Sequence, residues 1–375
     1  MVAALLDELH ALVLGHLICM GISKDIIEQL RSDLHGDECA AEQSTLFQLF
    51  FQAARMVFLQ EPSNEEVEMT EAQALMAQCA SPLNPRQSLI QVSGGNICAV
   101  GGFDGESVLS SVEVFDPIDQ TWMPLPPMSI GRSGLGAAVL DGMLYAIGGY
   151  DGSRAVETIE AFDPSMEGWV EMLPMTSRRS RLAGAVVYGR ITAIGGVVGS
   201  TSLDSMEVLE STVGVWAPLQ PMTIPRSRFA VAEMDGFVYV VGGCVGNDVL
   251  ASAEVFDTST GSWTQLPPMS RPRSGLAAAA ACGRIYAIGG HDGTNVLASA
   301  EVFDPRRGLW KPVTPMGTRR NRHAAAVLDG KVFAIGGSDG HNVLASVEVF
   351  DPSTGVWSGI PPMASPRDRL AAVVA

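Results

Sequence analysis

Short apolar runs recur in a fixed order along the chain from about residue 96 to residue 375. Each unit contains a run of small apolar residues, as in LGAAVL over 135–140, then a turn ending in Gly and a second run such as MLYAIGG over 143–149. A third run, as in SVEVFDP over 111–117, precedes a fourth that opens with Trp and ends at Pro-Met. Strands of this length between regular turns predict antiparallel four-stranded sheets.

The spacing of these units is constant. A Gly-Gly pair, a Glu, a Met and an Arg each recur six times at intervals of 47 residues. The same interval separates all six tryptophans of the protein: Trp122, Trp169, Trp216, Trp263, Trp310 and Trp357. A repeat of this length indicates an array of identical supersecondary units. The first run of each unit is the richest in Ala and Gly, as expected where sheets converge on an axis, so we predict an all-β propeller of six blades.

The two ends of the repeat region are complementary. The last unit stops after RDRLAAVVA (367–375), a strand of the first type, whereas the first unit starts at NICAVGG (96–102), a strand of the second type. We therefore predict a closed propeller over 96–375 in which strand 367–375 completes blade 1, since an open solenoid requires polar capping repeats. The segment SLIQV (88–92) is the alternative partner, although it fits the register one residue off.

The region before the repeats has a different pattern, with apolar residues at helical spacing. It predicts a small α-helical segment over 1–80 and a linker over 81–95, in which Pro82 and Pro85 interrupt helix. The stretch 46–59 is apolar on more than one face and must therefore be buried. A small helical bundle and a module for dimerisation or partner docking are both open interpretations.

The order Arg, Gly-Gly, Asp-Gly, Glu-x-Phe-Asp, Trp and Pro-Met within each unit resembles the kelch repeat over residues 96–375. The resemblance is closest to the propellers of kelch-like substrate adaptors for cullin ubiquitin ligases, which carry BTB and BACK domains ahead of the propeller. Residues 1–85 resemble neither domain. The third blade departs from the pattern, with VVG over 197–199 for the Asp-Gly loop and LES over 209–211 for Phe-Asp-Pro.

Positions that recur in all six units are interpreted as scaffold: we predict that the tryptophans pack between blades and that the repeated Arg and Glu pair within or between blades. Function is expected where the units differ. Two positions after the repeated arginine the units read Gly134, Arg181, Arg228, Gly275, Arg322 and Arg369. The preceding positions read Ser133, Ser180, Ser227, Ser274, Asn321 and Asp368. The loops after Gly-Gly contribute Phe103, Tyr150, His291 and Ser338, with Arg154, Asn295 and Asn342 further along. Apart from the two glycines and Asp368, we predict that these residues bind a ligand.

The resemblance implies the same surface, because the matching positions of kelch-like adaptors line the pocket that holds a partner's peptide. The residue types agree with this, since arginine forks beside hydroxyls and aromatic rings suit peptides that carry carboxylate or phosphate. The alternative is a solvated rim whose arginines pair weakly with neighbouring acids. Four arginines in one register of an acidic protein favour the ligand site.

Composition narrows the function classes further. The chain of 375 residues carries a formal net charge of −17, which disfavours the binding of nucleic acid. Its N-terminus lacks the pattern of a signal peptide or membrane span. Six cysteines without a CxxC pair indicate reduced thiols and predict a cytoplasmic location, with the nucleus as an alternative. The repeat region has only His291, His323 and His341, which we interpret as solvated loop histidines rather than metal ligands.

These observations predict a binding protein without catalytic activity, metal or cofactor, since no GxSxG, P-loop or HExxH pattern occurs. The predicted partner is a protein with an acidic or phosphorylated segment, bound at the arginine-bearing rim. A more specific hypothesis is that the chain is a substrate receptor of a cullin-type ubiquitin ligase, in which residues 1–80 recruit the cullin or mediate self-association. Actin or cytoskeletal binding, known for other kelch proteins, is one alternative. A kelch-fold enzyme acting on a sugar, similar to sialic acid epimerases, is the other.

Overall fold

The computed structural model describes residues 95–210 and 215–375. Within these ranges the regular elements are all β-strands, arranged as six antiparallel four-stranded sheets and two short hairpins. The six sheets confirm the predicted propeller. The predicted helical segment 1–80, the linker as far as residue 94 and the segment 88–92 lie outside the described residues.

Each blade takes its four strands in chain order, except that the innermost strand of blade 1 comes from the end of the chain. Blade 1 comprises β1 (Ile97–Val100), β2 (Val112–Asp116), β3 (Thr121–Leu125) and β28 (Ala371–Val374). Blade 2 comprises β4 (Gly136–Leu140), β5 (Met143–Ile147), β6 (Ile159–Asp163) and β7 (Gly168–Met172). Blade 3 comprises β8 (Ala183–Val187), β9 (Arg190–Ile194), β12 (Met206–Glu210) and β13 (Val215–Leu219), with a hairpin of β10 (Val197–Val198) and β11 (Thr201–Ser202).

The second half of the chain repeats this arrangement. Blade 4 comprises β14 (Ala230–Met234), β15 (Phe237–Val241), β18 (Ala253–Asp257) and β19 (Ser262–Leu266), with a hairpin of β16 (Cys244–Val245) and β17 (Asp248–Val249). Blade 5 comprises β20 (Ala277–Ala281), β21 (Arg284–Ile288), β22 (Ala300–Asp304) and β23 (Leu309–Val313). Blade 6 comprises β24 (Ala324–Leu328), β25 (Lys331–Ile335), β26 (Val347–Asp351) and β27 (Val356–Ile360).

Burial changes across each sheet from the axis outward. The innermost strands consist of small residues, as in the five alanines of β20, because little volume is available where the blades converge. The second strands are the most buried, and in β5 all five residues are buried. The outer strands are mostly exposed, as in β3. Each sheet therefore buries both faces of its inner strands against adjacent blades, which explains why these strands lack apolar–polar alternation.

The first and last described strands belong to the same sheet. Strand β28 pairs antiparallel with β1, with Ile97 opposite Val374 and Val100 opposite Ala371. The sheet order β28-β1-β2-β3 places β28 at the inner edge of blade 1. The ring is thus closed by hydrogen bonds between distant parts of the chain.

The repeated tryptophans join neighbouring blades, as predicted from their register. The indole Nε1 of Trp169 in blade 2 donates a hydrogen bond to the carbonyl oxygen of Pro126, after blade 1, at 2.8 Å. Equivalent bonds run around the ring, and Trp122 closes the circle by donating to Pro361 at 3.0 Å. In five blades the indole also packs on a Phe of its own sheet, with ring centroids 5.1–5.5 Å apart, and blade 3 has Leu209 there.

The repeated Arg and Glu form a buried ion pair in every blade. In blade 2, Nη2 of Arg132 lies 2.8 Å from Oε1 of Glu160, and the two side chains are 1% and 2% exposed. Arg132 also donates to the carbonyl oxygens of Gly148 and Thr158, and Oε2 of Glu160 accepts from the backbone N–H of Ser129. A buried charge is tolerated only when it is paired in this way. The pair fixes the loop that enters each blade, and that loop builds the site described next.

Candidate functional site

Six residues form a closed ring around the propeller axis, two positions after each repeated arginine. They are Gly134, Arg181, Arg228, Gly275, Arg322 and Arg369, and we call them the axial ring. The backbone N–H of each donates to the carbonyl oxygen of its counterpart in the preceding blade at 2.6–3.1 Å. Gly134 donates to Arg369 and so completes the circle. The side chains of the axial ring are therefore anchored to a continuous hydrogen-bonded backbone.

The axial ring holds its residues in the left-handed backbone region. The φ angles of Gly134, Arg181, Arg228, Gly275, Arg322 and Arg369 lie between 54° and 60°. This conformation costs a residue with a side chain roughly 1–2 kcal/mol, whereas glycine adopts it freely. Four blades nevertheless carry arginine. Strain of this kind clusters at functional sites, so the four guanidinium groups point to a function beyond folding.

The axial ring borders a pocket of about 110 Å³. The next residue of each blade also lines it: Leu135, Leu182, Phe229, Leu276, His323 and Leu370. The five apolar side chains of this set and His323 are buried. The pocket thus combines charged forks at its mouth with an apolar wall, a composition typical of sites that bind peptides or small ligands.

The positive charges of the pocket are not balanced. Asp368 is the one acidic partner that the described residues supply, with Oδ2 at 3.3 Å from Nη1 of Arg322 and 3.9 Å from Nε of Arg369. Arg181 and Arg228 have no side-chain hydrogen bond or ion pair within residues 95–210 and 215–375. Burial of its guanidinium, followed by repulsion from the other three arginines, lowers the pKa of Arg181 below its ordinary value. Like charges held this close favour the binding of an anion.

Aromatic residues predicted from the sequence lie beside this charge. The guanidinium carbon of Arg369 is 5.5 Å from the centroid of the Phe103 ring, a cation–π contact. The Tyr150 side chain is 38% exposed at the same rim. Phe103 thereby helps to fix one guanidinium group, and Tyr150 stays available to a ligand.

Aspartate turns build the loops after Gly-Gly in four blades. The aspartates are Asp104, Asp151, Asp292 and Asp339. Oδ1 of each accepts hydrogen bonds from the backbone N–H groups of the residues two and three positions later in the chain. These turns hold Arg154, Asn295 and Asn342 in exposed positions. His291 and Ser338 are half-buried and accept hydrogen bonds from the N–H groups of Gly293 and Gly340. Blades 3 and 4 have the hairpins β10–β11 and β16–β17 instead, so the rim is uneven.

The predicted serines lie at the same rim but are buried. Isolated β-bridges join the two predicted loops, for example Ser133 with Tyr150 and Asn321 with Ser338. The four serines are 3–7% exposed: Ser133, Ser180, Ser227 and Ser274. Asn321 is half-buried. The structure brings the two loops together, but the pocket is lined by the residues after the axial ring rather than by the serine hydroxyls.

His323 is buried, so its interpretation as a solvated loop histidine was wrong. It is 5% exposed, and neither ring nitrogen has a hydrogen-bond partner. Burial, with a smaller contribution from the charge of Arg320, lowers its pKa from 6.5 to about 3. The register carries the signal, because the equivalent residues of the other five blades are Leu or Phe.

Further along the innermost strands lies a channel of about 430 Å³. Its wall consists mostly of Ala, Gly and Val, and Glu233 is the one charged residue among the described residues that line it. Oε1 of Glu233 accepts a hydrogen bond from the backbone N–H of Val186 at 2.9 Å, and burial raises the pKa of this carboxyl. In the described ranges no cluster of His, Cys, Asp or Glu is placed to hold a metal ion. In the same ranges no helix is long and apolar enough to cross a membrane.

Comparisons with known proteins agree with this architecture. Residues 222–375 match the KLHDC2/KLHL20/DRC7 Kelch-repeats domain, and residues 89–129, 131–176 and 178–223 each match the Kelch motif. A solved structure titled "Structure of YjhT" has the same fold, with a TM-score of 0.60 and 13% sequence identity over 73% of this chain and 100% of that chain. No curated protein matches the sequence.

Proposed function

The chain belongs to the kelch-repeat propellers, which typically serve as protein–protein interaction modules, and we propose that its axial pocket binds an acidic or phosphorylated segment of a partner protein. One observation carries the proposal. Four arginines of the axial ring occupy left-handed positions that two other blades fill with glycine, and two of the four have no acidic partner among the described residues.

The geometry of the axial ring supports binding of an anionic group. Planar guanidinium forks donate two parallel hydrogen bonds to a carboxylate or phosphate, and charge-assisted bonds of this type are stronger than neutral ones. The backbone hydrogen bonds around the ring fix the origin of each side chain before a ligand arrives. The partly desolvated position of Arg181 and Arg369, whose pKa values burial lowers, strengthens their attraction for an anion.

A finer assignment follows from the family likeness. We propose that the chain acts without catalysis, in the cytoplasm or the nucleus, as a substrate receptor of a cullin-type ubiquitin ligase. Its support is the resemblance to kelch-like adaptors and the match to the KLHDC2/KLHL20/DRC7 Kelch-repeats domain. Residues 1–80 are the proposed recruiting segment, and recovery of a cullin with the full chain but not with a chain lacking them tests this.

The binding site itself is tested by changing Arg181, Arg228, Arg322 and Arg369 to Gly. Glycine is the residue that this fold accepts at Gly134 and Gly275, so the backbone of the axial ring is expected to persist. Partners cross-linked to the wild-type chain are identified by mass spectrometry and compared with those of the variant. We expect the main partners to be lost.

A matched control removes four positive charges elsewhere, by changing the exposed blade 5 residues Arg284, Arg306, Arg307 and Lys311 to Ser. This control is expected to retain the partners. Retention of the same partners by the four-glycine variant, with an unchanged melting temperature, contradicts the proposal.

A further inference from the structure

The two glycines of the axial ring divide its arginines into two pairs. Gly134 belongs to blade 2 and Gly275 to blade 5, so they occupy opposite sides of the ring. The pairs, named here by their blades, are the blade 3–4 pair of Arg181 and Arg228 and the blade 6–1 pair of Arg322 and Arg369. The two pairs therefore lie on opposite sides of the axis, and each is bordered at both ends by a ring position without a side chain.

The two pairs differ in how far their charge is balanced. Oδ2 of Asp368 lies 3.3 Å from Nη1 of Arg322 and 3.9 Å from Nε of Arg369, whereas neither Arg181 nor Arg228 has such a partner among the described residues. Burial lowers the pKa values of both Arg181 and Arg369; the carboxylate of Asp368 opposes this at Arg369, whereas at Arg181 the other three arginines add to it. The uncompensated positive charge is thus concentrated in the blade 3–4 pair.

The blade 3–4 pair is accessible from the axial pocket. Arg181 and Arg228 both line the pocket, and Arg181 is exposed and Arg228 half-buried. Gly134 precedes the pair around the ring and Gly275 follows it, so both of its flanks are free of ring side chains. The pocket volume of about 110 Å³ is several times the roughly 10–15 Å³ that one water molecule needs, so a ligand group of several heavy atoms fits.

The arrangement of the blade 3–4 pair suits a phosphate group better than a carboxylate. A carboxylate has two oxygens in one plane, and one guanidinium fork bonds both of them. A phosphate monoester has three terminal oxygens in a tetrahedral arrangement and a charge of about −1.5 to −2 at pH 7. Arg181 and Arg228 belong to two blades that are rotated relative to each other about the axis, so their forks can approach such a group from two directions. One phosphate group then balances both positive charges.

We propose that Arg181 and Arg228 form a binding site for a phosphate monoester on a side chain of the partner segment. This inference rests on the proposed function and narrows its ligand from an acidic or phosphorylated segment to a phosphorylated one. The blade 6–1 pair, partly neutralised by Asp368, adds attraction without bonding the phosphate. Binding of phosphorylated side chains by arginine clusters is a recurring mode of peptide recognition.

Four fluorescein-labelled peptides with the same neutral flanks test this with the full-length chain. Their central residue is phosphoserine, one Glu, two successive Glu residues, or unmodified Ser. Fluorescence anisotropy is expected to give about tenfold tighter binding of the phosphopeptide than of the single-Glu peptide, because the phosphate accepts more charge-assisted hydrogen bonds. The two-Glu peptide matches the charge of phosphate without its shape, and we expect it to bind about fivefold less tightly than the phosphopeptide. The Ser peptide is expected not to bind.

Two variants compare the pairs by giving them the glycine that the ring has in blades 2 and 5. Changing Arg181 and Arg228 to Gly is expected to lower the affinity for the phosphopeptide about a hundredfold. Changing Arg322 and Arg369 to Gly together with Asp368→Ser removes the other pair with its acid, and we expect a loss of about fivefold or less. Changing Arg181 and Arg228 to Lys keeps the charge without the planar forks and is expected to reduce the tenfold preference to about threefold or less. Melting curves establish that the variants are folded.

Equal affinity of the wild-type chain for the phosphopeptide and either Glu peptide overturns this inference and leaves anion binding at the axial ring intact. Similar losses of phosphopeptide binding in the two glycine variants overturn the assignment to Arg181 and Arg228. Displacement of the phosphopeptide by inorganic phosphate at comparable concentrations indicates a site for the free ion and overturns recognition of a phosphorylated segment. Absence of binding of all the peptides to the wild-type chain overturns the proposed function together with this inference.

Discussion

At the scale of single residues, four positions of the axial ring carry arginine although their backbone conformation favours glycine. Arg181 adopts a φ of 54° that glycine occupies without cost two blades further around, at Gly275. Changing Arg181 to Gly is therefore expected to leave the free energy of unfolding within about 1 kcal/mol of the wild type, or to raise it. Changing it to Ala keeps the left-handed strain and is expected to give the less stable protein of the two. Urea unfolding of both variants measures this, and a clearly destabilised Gly variant means that the side chain serves the fold.

His323 is a second residue whose environment has a measurable consequence. Its pKa of about 3 in the folded protein lies below the ordinary value of 6.5, so the unfolded chain binds a proton that the folded chain does not. Stability is therefore expected to fall as the pH decreases from 6.5 toward 3. The turn aspartates, whose pKa values the backbone N–H groups of their turns lower, add their own loss only below about pH 4.

The change His323→Leu separates these two contributions. It places in blade 6 the residue that four other blades have at this position, and it removes two unsatisfied nitrogens. We expect the variant to be more stable than the wild type at pH 7 and to lose the decrease in stability that His323 causes between pH 6.5 and about 4, whereas the contribution of Glu233, whose pKa burial raises, remains. Urea midpoints measured across this range test it. A wild-type midpoint that does not change between these pH values contradicts the assigned environment.

At the scale of elements, one strand and the loop that enters its blade depend on a buried ion pair. Changing Glu160 to Ala leaves Arg132, which is 1% exposed, without its carboxylate. We expect a loss of about 3–5 kcal/mol in the free energy of unfolding. The matched control is Glu210→Ala, which removes a carboxylate 2.6 Å from Arg190 in a pair whose side chains are 39% and 27% exposed.

The control pair is partly solvated, so its loss is expected to cost less than about 1 kcal/mol. Chemical denaturation of the two variants under the same conditions compares them. Similar destabilisation by both changes contradicts the role assigned to burial of the repeated pair.

The strands and loops also show which structural features the sequence predicts and which it does not. The 47-residue register predicted the strands, the joining tryptophans and the Arg–Glu pairs, because each depends on residues repeated in every blade. The register did not predict that Ser133 and its counterparts turn inward, because their burial follows from backbone bridges between loops. His323 could have been recognised as buried from the apolar residues at the equivalent positions.

At the scale of the whole molecule, the propeller depends on the pairing of β28 with β1. Removing residues 371–375 takes away the innermost strand of blade 1 and the apolar side chains that it packs between blades. We expect the melting temperature to fall by roughly 10 °C or more. A synthetic peptide of residues 367–375 is expected to restore part of the loss when added in trans, and a scrambled peptide is not. An unchanged melting temperature of the shortened chain contradicts this dependence.

The site is harder to predict than the fold because it depends on residues from all six blades of the molecule. Six copies of one unit specify a ring, whereas the axial pocket is formed by the residues in which the copies differ. The sequence located the arginines in one register, and their common position around the axis follows once the ring closes. The apolar wall and the uneven charge depend on neighbours from different blades, which no single repeat contains.

The central claim is that the axial ring is an anion-binding site, and one binding measurement tests it most directly. A fluorescein-labelled peptide with several Glu residues is titrated with the wild-type chain and with the variant in which Arg181, Arg228, Arg322 and Arg369 are Gly, at low and at physiological ionic strength. We predict that the wild-type chain binds the peptide, that the affinity falls as salt rises, and that the folded variant does not bind it. Equal binding by the wild-type chain and the folded variant contradicts the claim.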